Sequence, residues 1–107
     1  MHPTKDTGIV RDRGPEVDLG PDLPGYVLRM NLATFAPGAV RAFHGHKTNP
    51  ESSYVIRGTI TEHRASGESE DFGPGTMPAY GRDAEHWLEN RGTEDAVLVV
   101  AAVVKAQ

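Results

Sequence analysis

Apolar residues in this chain never settle into a helical rhythm. No window of twelve or more residues repeats them with a period of 3.6, and 12 glycines and 8 prolines interrupt the sequence throughout its 107 residues. Short apolar runs between turn formers predict strands, many of them, as in an all-β sandwich or closed barrel. Residues 26–35 form the first good strand, and Pro37-Gly38 turns it into a second over 40–46. Strand alternation there places Val40, Ala42, His44 and His46 on one face and Arg41 and Phe43 on the other. Asn49-Pro50 is a reversal signal, expected to bring 51–56 back as the neighbouring strand with Glu51, Ser53 and Val55 on one face.

Further along, 59–64 leads into a hairpin tip at Ala65–Ser69, and Gly73-Pro74-Gly75 makes a corner. The stretch 76–81 then runs toward a strand around His86. Residues 96–104 are β-branched or small apolar without alternation, the pattern of a central strand covered on both faces. The first 25 residues are polar and rich in turns, and only Ile9-Val10-Arg11 reads as a short edge strand. Two segments follow: an arm over 1–25 and a barrel domain over 26–107.

Composition narrows the partners. One domain is all that 107 residues can build. With no cysteine, disulfides and thiolate metal sites are excluded. A net charge of −4 without a basic cluster argues against nucleic acid and against an anionic membrane surface, leaving small molecules or proteins. The first residues contain no apolar run of the signal or membrane-spanning type, so a cytoplasmic location is expected.

The candidate chemistry lies between Gly38 and Gly58. His44 and His46, two apart on a strand, present both imidazoles to one face, where they can grip one ion. The spacing Gly38, five residues, His44-x-His46, four residues, Glu51, six residues, Gly58 resembles the first motif of the cupin superfamily, with every position filled. The second motif of that family is matched at its ends by Gly75, His86 and Asn90. It departs in between, where Gly81 and Asp83 stand at the family's proline and glycine positions. The two motifs span about half the chain.

The resemblance implies an all-β, single-domain cupin jelly-roll barrel, commonly a homodimer, in which the arm's edge strand reaches a second subunit. It also implies a metal held by His44, His46, Glu51 and His86. Three imidazoles and a carboxylate suit a divalent ion such as Fe, Mn, Ni or Zn. Four ligands in an octahedral field would leave two positions open, and the site's positive charge favours an anionic chelating substrate. Affinity for metal is expected to fall below about pH 6, where imidazoles protonate.

Ser53, Val55, Tyr80 and Leu88 are expected to line the substrate pocket, and Trp87 to face away from His86. Arg82 is a further candidate for the pocket mouth, whereas Arg57, at a strand end, is expected in solvent. A pocket so poor in acid–base groups leaves most of any catalysis to the metal. Two classes of function remain open. One is a metal-dependent enzyme, first a dioxygenase-type oxidoreductase on a small oxygen-rich chelating substrate, with lyase, isomerase or decarboxylase chemistry as alternatives. The other is a non-catalytic module binding a small molecule.

Overall fold

The computed structural model describes residues 2–106, and the chain is all strand, turn and loop there. Nine strands follow in order: β1 (Thr7–Arg13), β2 (Val17–Asp18), β3 (Tyr26–Gly45), β4 (Glu51–Arg57), β5 (Ile60–Arg64), β6 (Ser69–Phe72), β7 (Ala79–Tyr80), β8 (Glu85–Glu89) and β9 (Ala96–Lys105). They are joined in the order β6-β5-β8-β3-β9-β4-β7, with β1 and β2 added along β3. Among the described residues no helix is long and apolar enough to cross a membrane.

The strand β3 is the spine. Pro37-Gly38 does not end it, as expected from sequence, but bends it, and its two halves belong to different walls. Residues 26–35 pair with β9 on one side and with β1 and β2 on the other. Residues 40–45 pair with β8. Gly38 supplies φ +82° at the bend, a value that L side chains rarely adopt. Asn90, 1% exposed, clamps the bend: its Nδ2 donates to Phe35 O at 2.9 Å and Glu94 O at 2.8 Å, and its Oδ1 accepts from Gly92 N. The amide is thus fully used in the interior, which is the condition for burying it.

Alternation along the 26–35 half aims Val27, Arg29, Asn31, Ala33 and Phe35 inward and Leu28, Met30 and Leu32 outward, where they are 37–55% exposed. The more apolar face therefore points out. Inside, Ala33, Phe35, Ala39, Val55, Ile60, Leu88, Ala96 and Leu98 form one apolar cluster, and Val27, Ala102 and Val104 a second. Between them runs a polar belt. Register places Asn31 and Ser53 on either side of Val100, and Arg29 and Glu51 on either side of Ala102.

Three sequence expectations change. The strand β4 pairs with β9 and β7, not with the strand of the histidines, because Lys47–Pro50 carries the chain across to the other wall. The strand β9 is central as expected, here between β3 and β4, yet its outward residues are half-buried, not covered. The arm's strand is longer than Ile9–Arg11, running over the seven residues of β1 along β3. Gly58 is required by space as well as by φ +73°, since a Cβ there would meet Asp95 O at 2.5 Å and Ala96 Cα at 2.6 Å.

Candidate metal centre

His44 and His86 sit opposite one another on β3 and β8, and His46 follows just past the end of β3, its amide donating to Ala84 O. Their Nε2 atoms form a triangle with sides of 3.1 Å (His44 to His46), 2.9 Å (His46 to His86) and 3.2 Å (His86 to His44). Every Nδ1 is otherwise engaged: His44 Nδ1–H donates to Ala42 O at 2.7 Å, His46 Nδ1–H to Asn49 O at 3.0 Å, and His86 Nδ1–H to the Glu62 carboxylate at 2.6 Å. These bonds put the protons on Nδ1, so three Nε2 lone pairs face one point without a hydrogen between them. A shared cation is one partner that would satisfy all three at once.

The triangle also has the right size. At a metal–nitrogen distance of about 2.1 Å, two ligands at right angles stand about 3.0 Å apart and two at the tetrahedral angle about 3.4 Å. Sides of 2.9–3.2 Å fit the first, three ligands capping one face. No other group of histidine, aspartate and glutamate side chains among the described residues converges in this way.

Burial prepares the imidazoles for the role. Desolvation pushes His44 from 6.5 down to about 4, and it lowers His86 against the opposing pull of Glu62. Both stay neutral at a lower pH than a free histidine. Glu62, 2% exposed, is the partner that sequence reasoning missed. It holds His86 in one tautomer and orientation, as carboxylates behind metal-bound histidines do. Arg64 Nη2 in turn lies 2.9 Å from Glu62 Oε1. The available signal was parity, since Glu62 and Arg64 alternate on a strand whose neighbour carries His86.

Glu51 stands apart from the three nitrogens. Its Oε2 lies 3.9 Å from His46 Nδ1, the nitrogen turned away from their shared point. Burial raises the Glu51 pKa while His46 pulls it back. Tyr80, cross-strand from Glu51, stacks on His46 at 5.3 Å and meets His86 edge-on at 4.3 Å, and burial raises its hydroxyl pKa well above the ordinary value.

A cavity of about 320 Å³ opens beside His44. Ser53, Tyr80 and Leu88 line it with Glu51, whereas Val55 is sealed in the apolar cluster below. The cavity is not poor in ionisable groups, as the sequence suggested, because Arg11, Arg13, Arg29, Arg41 and Asp6 also reach it. Arg41 corrects the parity reading: a register shift between Arg41 and His44 turns both toward the interior. Arg82 is elsewhere, donating to Lys47 O, and Arg57 is exposed. Trp87 faces outward, stacked on His63 at 3.9 Å.

Known proteins agree with this architecture. Residues 31–102 match a family described as a cupin domain. Among curated proteins, none matches the sequence significantly. Of the solved structures, the polyketide cyclase RemF from Streptomyces resistomycificus is similar at 17% identity and TM-score 0.74, over 96% of this chain and 70% of that one. A cupin 2 conserved barrel domain protein from Salinispora arenicola is similar at 18% identity and TM-score 0.69, over 88% and 74%. A recombinant oxalate oxidase in complex with glycolate is similar at 23% identity and TM-score 0.65, over 89% and 50%. The chain spans about half the length of that oxidase and 49% of another matched structure. At these identities the likeness speaks for the shared jelly-roll fold.

Proposed function

The chain belongs to the cupin domain family, and on that premise we propose that it is a metal-dependent enzyme acting on a small, oxygen-rich chelating substrate, in the first place a dioxygenase-type oxidoreductase. One observation carries the reading: three Nε2 lone pairs within 3.2 Å of one another, with each Nδ1 bonded elsewhere, at the wall of a cavity. His44, His46 and His86 hold the ion. A divalent iron there supplies oxygen and Lewis-acid chemistry when bound.

The chain's own residues do the rest. All three histidine ligands are neutral, so none offsets the positive charge of the site, and an anionic chelate is drawn in. Glu51 is the fourth ligand of the motif if it closes on the ion; where it stands it is a carboxylate base of raised pKa beside the substrate. That position supports a second reading, lyase, isomerase or decarboxylase chemistry with Glu51 moving the proton. The outward row of β3 with Val10, Val17, Tyr54 and Ile56, each 37–64% exposed, supports a homodimer built on that sheet face.

The test is elemental analysis of protein purified without added metal, beside the His46→Ala variant. Near-stoichiometric iron, absent from the variant, together with oxygen uptake on dicarbonyl or phenolic chelators, is expected. Another metal with no oxygen uptake but turnover that Glu51→Gln abolishes would establish the second reading. Turnover in metal-free protein refutes both.

A further inference from the structure

The charged lining of the cavity beside the histidines is largely arginine. Four of the chain's 11 basic residues, Arg11, Arg13, Arg29 and Arg41, line a space that only two of its 15 acids, Asp6 and Glu51, reach. The lining therefore carries +4 and −2, a net +2, inside a chain of net charge −4. The two acids do not neutralise it. Asp6 is shared at 3.2 Å between Arg11 and Arg41. Arg29 has a looser partner, Glu16 at 3.6 Å on the outer side, and Arg13 has no ion pair among the described residues.

Two buried polar atoms of this lining also lack a hydrogen-bond partner among the described residues, Arg29 Nε and Asn31 Oδ1. Both side chains belong to the inward row of β3, and Arg13 lies directly across from Asn31. A donor and an acceptor left open in one corner, beside an unpaired guanidinium, match a ligand that carries both an oxyanion and a hydroxyl. Arginine presents paired N–H groups suited to the two oxygens of such an anion.

We propose that this corner is an oxyanion subsite: Arg29 and Arg13 hold a carboxylate or phosphate of the substrate, and Asn31 Oδ1 accepts from an adjacent hydroxyl. The substrate class is thereby a small hydroxylated anion, its charged end on β1 and β3 and its chelating end toward His44. Only the second half of that statement rests on the metal reading above.

Calorimetric titration of the full-length, metal-loaded protein with malonate, inorganic phosphate and the neutral malonamide tests it. At least one anion is expected to bind roughly ten times more tightly than malonamide, and Arg29→Gln and Arg13→Gln each to weaken it about tenfold. Preference for phosphate identifies a phosphate ester and preference for malonate a carboxylate, and either supports the subsite. Glu16→Gln, which releases Arg29, is expected to tighten binding about threefold, a gain that misfolding cannot imitate; unchanged or weaker binding there overturns the role of Arg29. Anion affinity untouched by both arginine substitutions overturns the subsite, because the metal alone would then account for it. Repeating the titration after chelation separates the two readings. Arginine-dependent binding that survives in a chain shown to take no metal keeps the subsite and removes the metal enzyme, and arginine-independent binding in a metal-loaded chain does the reverse.

Discussion

The two walls of the cavity are built on different principles. On the histidine wall every ring is locked from behind, by Ala42 O, Asn49 O and Glu62, and two of the three residues are 1% exposed. On the arginine wall the side chains are held by half-exposed acids, Asp6 and Glu16, and two polar atoms remain unmatched. The first wall is complete before anything binds. The second is left with open polar atoms, and under the readings proposed above the first would suit one small ion and the second would select among larger molecules.

Breaking the histidine wall is expected to have the largest effect. Structural zinc sites with four ligands are worth about 10–16 kcal/mol, so each ligand stands for about 3–4 kcal/mol, and His86→Ala is expected to weaken metal binding roughly 10²–10³-fold in competition with a chelator. Metal affinity within about tenfold of the parent would remove His86 from the ligand set. Glu62→Gln keeps the shape but loses the charge behind His86, and a loss of about 10–100-fold is expected by the same assay.

The pH dependence of the metal-free protein probes how dry the histidine wall is. His44 has its pKa near 4 when folded and 6.5 as a free side chain. Between those values the unfolded chain takes up a proton that the folded one refuses, so stability falls as pH drops through this window and is full above it. Denaturant titrations at pH 7 and pH 5 are expected to differ by about 1–2 kcal/mol, allowing for partial exposure. No difference would mean that water reaches the ring.

Two smaller effects sharpen the contrast. Arg13→Gln is expected to leave metal affinity within about threefold, because that charge is on β1, across from Asn31, and partly screened. Ser53→Ala removes the 3.0 Å bond from Oγ to Pro78 O and is expected to cost about 1 kcal/mol in thermal or denaturant unfolding. A cost of several kcal/mol would mean that Ser53 supports more of the belt than that bond.

Outside the cavity, the sheet face bearing Leu28, Met30 and Leu32 offers an independent check on assembly. Met30→Glu is expected to shift a dimer to monomer in light scattering at equal concentration, with metal content unchanged. A protein that is monomeric before the substitution rules that face out as the interface.

Much of the histidine wall was legible in the sequence because its determinants are local. His44-x-His46 needs only strand alternation to converge, and the spacing from Gly75 to His86 and Asn90 survives the altered residues at 81 and 83. Even there the position of Glu51 was not legible. The Asn49-Pro50 signal says that the chain changes direction, not which wall it joins, and the crossing puts Glu51 on the Nδ1 side of His46.

The arginine wall was illegible for a related reason. In 26–35 the apolar count favours burying Leu28, Met30 and Leu32, and the structure aims that face outward. Arg41 escaped because a bulge between Arg41 and His44 reverses strand parity, and no residue type marks it. Arg11 and Arg13 sit on an arm whose polar composition gives no sign that it pairs along β3.

By itself, then, the sequence determined that this protein is an all-β cupin and which three imidazoles meet, because strand period, turn residues and motif spacing act over a few residues. Which face of β3 looks inward, which wall receives Glu51 and what surrounds the three imidazoles were decided by tertiary structure. Those outcomes depend on pairing between strands far apart in the chain, where one bulge or crossing moves a side chain from solvent to the cavity.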